Sequence, residues 1–239
     1  QLNRKTQVHP LTQNDAVHTR LTHSLEVSSV GRSLGMLAAD KIRADLPPWV
    51  TPADVGAIIQ AACLAHDIGN PPFGHAGEYA IRDWFAHPDR AGLSAYVSAA
   101  EYSDLCQFEG NAQGLRILTR LEYHPNDGGM RLTYATLGAY LKYPWLARPI
   151  QAQAGLATDK LAKFGCYHSE HDLLQQIAEQ LGLIQTGPTA FCRHPLAYLL
   201  EVADDVCYAL IDMEDGLLLG MLDYAEVEQI LLALIGDYG

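Results

Sequence analysis

Positive charge is scarce in this sequence, which has 16 lysines and arginines against 28 aspartates and glutamates among 239 residues. The net charge of −12 disfavours indiscriminate binding to nucleic acid or to anionic membranes. Long apolar runs are also missing, since none reaches the roughly 18 residues that a membrane span needs, and no segment reads as a signal peptide. The 49% of hydrophobic residues nevertheless supply enough apolar material for a globular core.

Cysteines with the paired spacing of a disulfide framework or a thiolate zinc site are absent. The five cysteines lie singly, at positions 63, 106, 166, 192 and 207. We expect most of them to be small buried apolar side chains in a reducing compartment, which favours the cytoplasm. Repeats and low-complexity tracts are also missing, and the length suits one large domain or two small ones.

Apolar residues recur at helical spacing along most of the chain, and no convincing alternating strand run is present. The first helix is expected over residues 22–44, with apolar spacing at Leu25, Val30, Leu34, Leu37, Ala38 and Ile42. Further helices are expected from Pro52 towards His66 and over residues 78–85, 108–122, 132–141, 171–181, 195–219 and 225–235. Residues 86–106 are ambiguous, residues 126–129 form a turn or loop, and residues 144–165 are irregular. The pattern predicts an all-α fold.

The start of the second helix has a specific signal. Thr51 suits the N-cap, Pro52 suits the first helical position, and Asp54 lies three residues after the cap, as in a capping box. The helix then leads to His66-Asp67 and stops at a turn rich in glycine and proline. Such a rigid helix end exposes both side chains, which a metal site requires.

Imidazoles and carboxylates occur in three helical segments, around His23, at His66-Asp67 and at Asp204-Asp205. Two imidazoles and two carboxylates form a formally neutral ligand set for a divalent ion. The set leaves coordination positions open for water and a phosphate oxygen, as hydrolysis requires. Each segment alone is weak, because a single histidine or a His-Asp pair also fits a polar helix end.

The segment around Asp204 carries a further pattern. Asp204, Tyr208 and Asp212 share one helix face at positions i, i+4 and i+8. An acidic solvated face with a half-buried tyrosine is the alternative interpretation. The core-facing side of this helix is expected to consist of Leu199, Leu200, Val206, Leu210 and Ile211.

The run from His66 to Glu78, HDIGNPPFGHAGE, resembles the signature of the dGTPase-like deoxynucleoside triphosphate triphosphohydrolases of the HD superfamily. Four other stretches resemble that family in the same order: residues 5–27, residues 108–114, residues 141–144 and residues 201–205. The resemblance implies an all-helical HD-domain fold for residues 1–239, with further residues at both ends. It also implies hydrolysis of deoxynucleoside triphosphates at the α-phosphorus, which releases the deoxynucleoside and triphosphate.

The resemblance implies that the metal ligands are His23, His66, Asp67 and Asp204. Asp204 is preferred to Asp205 because the family's ligand lies one and two turns before a sugar-contacting tyrosine and aspartate. Asp205 is rotated by about 100° around the helix. Mixed nitrogen and oxygen ligation suits one Mn²⁺, Mg²⁺ or Fe²⁺ ion better than a closed structural zinc site.

His75 is the candidate general acid for the 5′-oxygen leaving group, or the base that aligns the attacking water. Glu78, three residues on, is expected to hydrogen-bond His75 and keep it protonated. The alternative is that His75 is an ordinary turn residue.

The remaining candidates bind substrate. Gln7 and Asp212 are expected to hydrogen-bond a 3′-hydroxyl, while Tyr208 packs on the sugar and excludes a 2′-hydroxyl. Arg20 resembles the family's α-phosphate contact. The other candidates, which line the site or lie behind it, are Lys142, Tyr143, Asn111 and Glu109. Lys160 and Lys163 are expected to be ordinary surface residues.

The resemblance further implies a homo-oligomer, often a hexamer built from dimers, with deoxynucleotides or single-stranded DNA as possible effectors. The apolar segment from Ile230 to Ile235 fits an interface or an internal core helix equally well. Two other functions stay open: another HD phosphohydrolase activity on nucleotides or alarmones, and a catalytically silent nucleotide-sensing or single-strand-binding regulator. No membrane association is expected.

Overall fold

The computed structural model describes residues 2–3, 5–8, 17–123, 125, 127–148 and 163–236. The predicted all-α fold is confirmed. The α-helices are α1 (Arg20–Lys41), α2 (Pro52–Ala65), α3 (Gly74–Ala86), α4 (Ala99–Cys106), α5 (Gly110–Arg116), α6 (Tyr134–Tyr140), α7 (His171–Leu181), α8 (Pro195–Leu218) and α9 (Tyr224–Ile235). Shorter 3₁₀ turns span Arg43–Asp45, Pro88–Ala95 and His168–Glu170, and a π-helical turn over Ile117–Leu121 continues α5. Among the described residues, no helix is long and apolar enough to cross a membrane.

The structure differs from the sequence prediction in one type of element. Two short antiparallel strands, β1 (Gln185–Gly187) and β2 (Ala190–Phe191), form a hairpin between α7 and α8. Strands this short carry no readable alternation of apolar and polar residues, so the sequence did not indicate them. Asn126, Lys160 and most of the predicted irregular stretch, residues 149–162, lie outside the described residues.

Helices α1, α2, α6 and α8 pack around the main core, and α7 covers α6. The capping box predicted for α2 is present, since Thr51 Oγ1 accepts from the Asp54 backbone N–H and the Asp54 carboxylate accepts from that of Thr51. A Cβ at Gly35 would lie 2.8 Å from the Ile59 side chain and 3.1 Å from Gly56 Cα. Helices α1 and α2 therefore need glycine to approach so closely.

The buried face of α1 differs from the face that its apolar spacing suggests. Leu25, Leu37 and Ile42 are exposed. The face that packs on its neighbours consists largely of small or polar side chains, namely Arg20, His23, Ser24, Val27, Ser28, Gly31, Gly35 and Ala39. Close packing of α2 selects small residues on this face, which places His23 in the interior.

The core-facing residues expected on α8 are partly wrong. Leu200 and Ile211 are buried, but Val206 and Leu210 are exposed. The buried face of α8 instead follows Ala197, Leu200, Ala203, Cys207, Ile211 and Asp215. Because this face lies on α1 and α2, it turns Asp204 towards the end of α2.

The cysteine prediction is confirmed for four of the five positions. Cys63, Cys106, Cys166 and Cys207 are buried free thiols, whereas Cys192 is exposed. Burial raises the pKa of the Cys63 thiol to about 12, so this side chain remains an uncharged apolar group beside the histidines.

Candidate functional site

Helices α1, α2 and α8 bring the four predicted metal ligands to one point. His23 lies in the second turn of α1, His66 and Asp67 follow the last turn of α2, and Asp204 lies in the middle of α8. Asp204 Oδ1 is 3.1 Å from His23 Nε2 and 3.5 Å from His66 Nε2. His23, His66 and Asp67 each offer a ligand atom within 4.8 Å of the others. Residues far apart in sequence thus form one cluster of two imidazoles and two carboxylates.

The proton on His66 is placed by the backbone. Its Nδ1 lies 2.7 Å from the carbonyl oxygen of Cys63, so Nδ1 carries the proton and donates it. Nε2 is therefore an acceptor. It is buried, makes no hydrogen bond within the described part of the chain, and lies 3.6 Å from Asp67 Oδ1. A lone pair facing two carboxylates without a proton between them fits a bound cation.

Asp67 is held from two sides. Nη1 of the buried Arg20 donates to Oδ2 of Asp67 at 2.6 Å, and Nδ2 of Asn70 donates to Oδ1 at 2.5 Å. Such partners fix the orientation of a carboxylate that could bind a metal ion. Arg20 therefore lies beside the candidate metal position, as its location one turn before His23 predicts.

The geometry separates the two neighbouring carboxylates of α8. Asp204 faces the histidines, whereas Asp205 is exposed to solvent. Burial raises the pKa of Asp204, but the hydrogen bond with His23 and the positive charge of Lys142 lower it by a larger amount. The net pKa lies below the usual range, so Asp204 is an anion at neutral pH. This placement agrees with the preference for Asp204 as a ligand.

The turn between α2 and α3 is tightly constrained. A Cβ at Gly69 would collide with the carbonyl oxygen of Gly110 and the backbone nitrogen of Gly114, which presses this turn against α5. Phe73 has a φ of 66°, which is uncommon for a residue with a large side chain. Strain of this kind concentrates at functional sites. Here it sets the position at which α3 begins, with His75 in its first turn.

His75 and Glu78 are hydrogen-bonded as expected. Nδ1 of His75 lies 2.9 Å from Oε2 of Glu78, which is buried, while the His75 ring is mostly exposed. Burial raises the pKa of Glu78. The hydrogen bond with His75, the charge of Lys163 and the Gly110 backbone N–H together lower it by a larger amount. The net pKa is below normal, so Glu78 is an anion that orients His75 and leaves Nε2 free for substrate.

The four candidate metal ligands lie where two lobes of one cleft meet. The inner lobe, about 170 Å³, is lined by His66, Asp67, Asn70, His75, Asn111, Tyr140, Lys142, Tyr143, Lys163, Leu200 and Asp204. The outer lobe, about 330 Å³, is lined by Gln7, Val8, Arg20, Asp67, Asn70, Phe73, Gly74, His75, Asp204 and Tyr208. Both lobes share Asp67, Asn70, His75 and Asp204, so a ligand that fills the cleft passes directly over two of the candidate metal ligands.

Cations concentrate at the inner lobe. Nζ of Lys142 lies 3.9 Å from Oδ2 of Asp204 and 3.4 Å from Oε1 of Glu201. Lys163 also lines this lobe, 3.8 Å from Oε1 of Glu109. The expectation that Lys163 is an ordinary surface residue is therefore wrong. The fold brings it back to the cleft from a distant part of the sequence, which no local pattern indicates.

Asn111 and Glu109 occupy different layers. Asn111 lines the inner lobe, and its Nδ2 donates to Oε1 of Glu109 at 2.6 Å. Glu109 is buried behind it and contacts Nη2 of Arg82 at 3.4 Å. Glu109 therefore supports the residues that line the cleft.

The residues expected to contact the sugar lie around the outer lobe. Gln7 and Tyr208 both line it. Asp212 does not line it. Burial of Tyr208 raises the pKa of its phenol, and the charge of the nearby Asp212 raises it further. Oε1 of Gln7 is buried and has no hydrogen-bond donor among the described residues. An acceptor in this position fits a hydroxyl group of a ligand.

Sequence reasoning assigned no role to two residues that the structure places beside Asp67. Asn70 belongs to the HDIGNPPFGHAGE run and lines both lobes. Nζ of Lys5 donates to the carbonyl oxygen of Asn70 at 2.5 Å, which ties the N-terminal segment to the turn. The position of Asn70 within the run was an available signal, whereas the contact of Lys5 was not.

An all-helical fold that gathers histidine and aspartate from three helices defines the HD domain class. The HD domain family model matches residues 20–154, which is more than half of the chain. The chain belongs to this family, in the group that the dGTPase-like deoxynucleoside triphosphate triphosphohydrolases form.

Three relatives illustrate the similarity. The chain is 59% identical over 236 residues to a deoxyguanosinetriphosphate triphosphohydrolase-like protein of Pseudomonas aeruginosa (strain LESB58), covering 99% of this chain and 52% of the relative. It is 48% identical to a protein of that name from Synechocystis sp. (strain ATCC 27184 / PCC 6803 / Kazusa), covering 96% of this chain and 54% of that relative. It is 36% identical to the deoxyguanosinetriphosphate triphosphohydrolase of Enterobacter sp. (strain 638), covering 90% of this chain and 46% of that relative. The chain spans about half the length of these relatives.

Proposed function

We propose that this protein hydrolyses deoxynucleoside triphosphates, among them dGTP, to deoxynucleoside and triphosphate with the help of one divalent metal ion. One observation carries the proposal. Within the described part of the chain, three buried atoms around one cleft have no hydrogen-bond partner: the acceptor His66 Nε2, the donor Arg20 Nε and the acceptor Gln7 Oε1. A cation, a phosphate oxygen and a sugar hydroxyl are their respective complements.

His23, His66, Asp67 and Asp204 would hold the ion. When bound, a divalent ion supplies Lewis acidity to a phosphate oxygen and lowers the pKa of water. Nη1 of Arg20 holds Asp67 in place, and the Arg20 Nε–H has no hydrogen-bond acceptor among the described residues. The neutral ligand set suits Mn²⁺, Mg²⁺ or Fe²⁺.

The inner lobe suits the phosphate chain. Lys142 and Lys163 contribute positive charge on a protein that carries −12 overall, and Asn111 and Tyr143 contribute polar groups. Charge-assisted hydrogen bonds from such donors bind phosphate strongly in a desolvated cleft. His75 lies at the junction of the lobes, where Nε2 is free to transfer a proton to or from the reacting group.

The outer lobe suits the deoxyribose. Gln7 accepts a hydrogen bond from the 3′-hydroxyl, and Asp212 is proposed to do so from α8. Tyr208 packs against the sugar and fills the space that a 2′-hydroxyl needs. A site built around a fixed aromatic ring selects by shape, which is worth about 10–200-fold between substrates that differ by one small group.

The name of the Enterobacter relative supports a deoxynucleotide as substrate. Free cysteines fit a cytoplasmic location. We propose a homo-oligomer because α9 buries only Val227, while Ile230, Leu232, Leu234 and Ile235 are exposed. An apolar helix face of this kind marks an interaction surface.

The proposed function is tested with the four deoxynucleoside triphosphates and Mn²⁺, Mg²⁺ or Fe²⁺, with products separated by ion-exchange chromatography. We expect deoxynucleoside and triphosphate in equal amounts, and no activity after chelation of the metal. Release of pyrophosphate or single phosphate would instead indicate another HD phosphohydrolase. Nucleotide binding without any product would indicate a regulator.

Tyr208→Ala is expected to relax sugar selection. Removing the ring opens space for a 2′-hydroxyl, so kcat/KM for ribonucleoside triphosphates rises about 10-fold, while that for deoxynucleotides falls. Steady-state kinetics with dGTP and GTP measure the ratio. Tyr224→Ala, which removes an exposed tyrosine on α9, is the control and leaves the ratio unchanged. An unchanged ratio in Tyr208→Ala contradicts steric selection by this ring.

A further inference from the structure

His18 is surrounded by three carboxylates just before α1. Its Nδ1 lies 2.8 Å from Oδ1 of the fully buried Asp215, and its Nε2 lies 3.3 Å from Oε1 of Glu26 and 4.0 Å from Oε2 of Glu214. The backbone N–H of His18 also donates to Asp215, at 3.3 Å. Neither His18 nor Asp215 is among the residues that line the two lobes, so the chemistry proposed above does not use them.

The backbone of His18 carries part of the outer lobe. Thr6 and Thr19 form an isolated antiparallel bridge, and the backbone N–H of Gln7 donates to the carbonyl oxygen of His18 at 3.3 Å. The backbone N–H of Arg20 donates to the carbonyl oxygen of Lys5 at 2.9 Å. Residues 5–7 thus pair with residues 18–20, so a contact that fixes His18 also restrains Gln7.

Asp215 lies on the helix that contributes Asp204 and Tyr208 to the lining of the outer lobe. Helix α8 carries Asp204, Tyr208, Asp212 and Asp215 within about three helical turns. The hydrogen bond between His18 and Asp215 therefore connects the segment that bears Gln7 to the helix that bears Tyr208. Such a short bridge has few hydrogen bonds of its own, so side-chain anchors hold it in position: His18 on Asp215 and, at the other side, Lys5 on Asn70.

We propose that His18 and Asp215 form a positioning pair that clamps the Thr6–Thr19 bridge onto α8. The pair thereby sets the distance between Gln7 and Tyr208 across the outer lobe. The inference rests on the proposed function for the identity of the substrate. The clamp itself is a feature of the fold that can be measured without substrate. Loss of the clamp weakens binding of the sugar and leaves the four candidate metal ligands and the His75–Glu78 pair in place.

The charges around His18 support this role. Burial lowers the pKa of His18, but Asp215 and Glu26 together raise it by a larger amount, so the net pKa is above the usual value. The groups that face the ring are Glu26 on α1 and Glu214 and Asp215 on α8. Because the folded pKa is raised, the stabilisation is complete below the ordinary imidazole pKa and is lost as pH rises through the raised value.

The experiment compares His18→Ala with Glu214→Gln, which alters an exposed carboxylate beside the same ring. In His18→Ala we expect KM for dGTP to rise about 10-fold with kcat within about 3-fold, since binding is lost without a change in chemistry. Amide hydrogen exchange of Gln7 and Arg20 is expected to accelerate by about 10-fold or more. Glu214→Gln leaves both quantities near their original values.

A second variant separates positioning from general destabilisation. His18→Ala leaves the carboxylate of Asp215 buried without its imidazole partner, which lowers Tm. The double variant His18→Ala/Asp215→Ala removes that charge, so Tm recovers while KM stays raised. Recovery of KM together with Tm would show a merely structural role and overturn the inference.

The two proposals fail in different ways. Unchanged exchange at Gln7 in His18→Ala overturns the clamp, whether or not the protein hydrolyses deoxynucleotides. Lack of hydrolysis by the unaltered protein overturns the proposed function and, with it, the role of the clamp in substrate binding. Faster exchange accompanied by a raised KM supports both proposals.

Discussion

We expect Asp204→Asn to lose the proposed divalent ion and its rate of triphosphate release to fall by about 10³-fold or more, equivalent to about 4 kcal/mol of activation free energy. Oδ1 of Asp204 is the atom that approaches both histidines, at 3.1 Å from His23 and 3.5 Å from His66. Asparagine keeps the shape of the side chain but removes its charge. The ligand set then carries one negative charge fewer, and affinity for a divalent cation falls accordingly.

The neighbouring carboxylate supplies a matched control. Asp205→Asn makes the same chemical change one residue along α8, on a side chain that is exposed to solvent. Metal content by mass spectrometry and triphosphate release are measured for both variants at matched protein concentration, with circular dichroism to verify the fold. Full metal content in Asp204→Asn, or its loss in Asp205→Asn, would contradict the ligand assignment.

The helices were predictable where local signals coincide. Helix α7 occupies the predicted residues 171–181, and α2 begins at Pro52 because Thr51 and Asp54 cap it reciprocally. Capping and periodicity act within a few residues, so one sequence contains them fully. The hairpin of β1 and β2 has only a few residues per strand, and its pairing depends on the chain around it.

The identity of the buried faces was less predictable. Periodicity marks which residues are apolar but does not decide which of them another helix covers. Leu37 on α1 and Leu210 on α8 are exposed, while Gly35, Ser28 and Ala203 are buried because α1, α2 and α8 approach closely at small residues. That choice depends on tertiary contacts between segments far apart in sequence.

The same contrast between local sequence signals and long-range contacts applies to the candidate site. The HDIGNPPFGHAGE run indicated the His75–Glu78 hydrogen bond and the neighbourhood of His66 and Asp67 from sequence alone. Lys163 reaches the inner lobe and His18 reaches Asp215 through long-range packing, so neither had a local signature. The sequence therefore predicted where the candidate site lies, and the fold shows which further residues surround it.

His75→Ala is expected to lower kcat for dGTP by about 10²-fold or more while the metal content stays unchanged. The ring is largely exposed to the cleft, and the ionised Glu78 holds Nδ1 at 2.9 Å, which leaves Nε2 for proton transfer. His87→Ala, which removes another exposed histidine at the end of the same helix, is the matched control and retains full activity. Loss of metal in His75→Ala would make His75 a ligand and contradict this role.

The two possible roles of His75 predict different responses to the leaving group. An analogue with sulfur in place of the 5′-oxygen releases a thiolate, which is a much weaker base than an alkoxide and needs no proton on departure. If His75 is the general acid, His75→Ala hydrolyses this analogue nearly as fast as the unaltered protein does, because the missing proton is no longer required. If His75 aligns the attacking water, the defect of about 10²-fold persists with both substrates. Single-turnover rates with the two substrates decide between acid and base, since they exclude product release from the comparison.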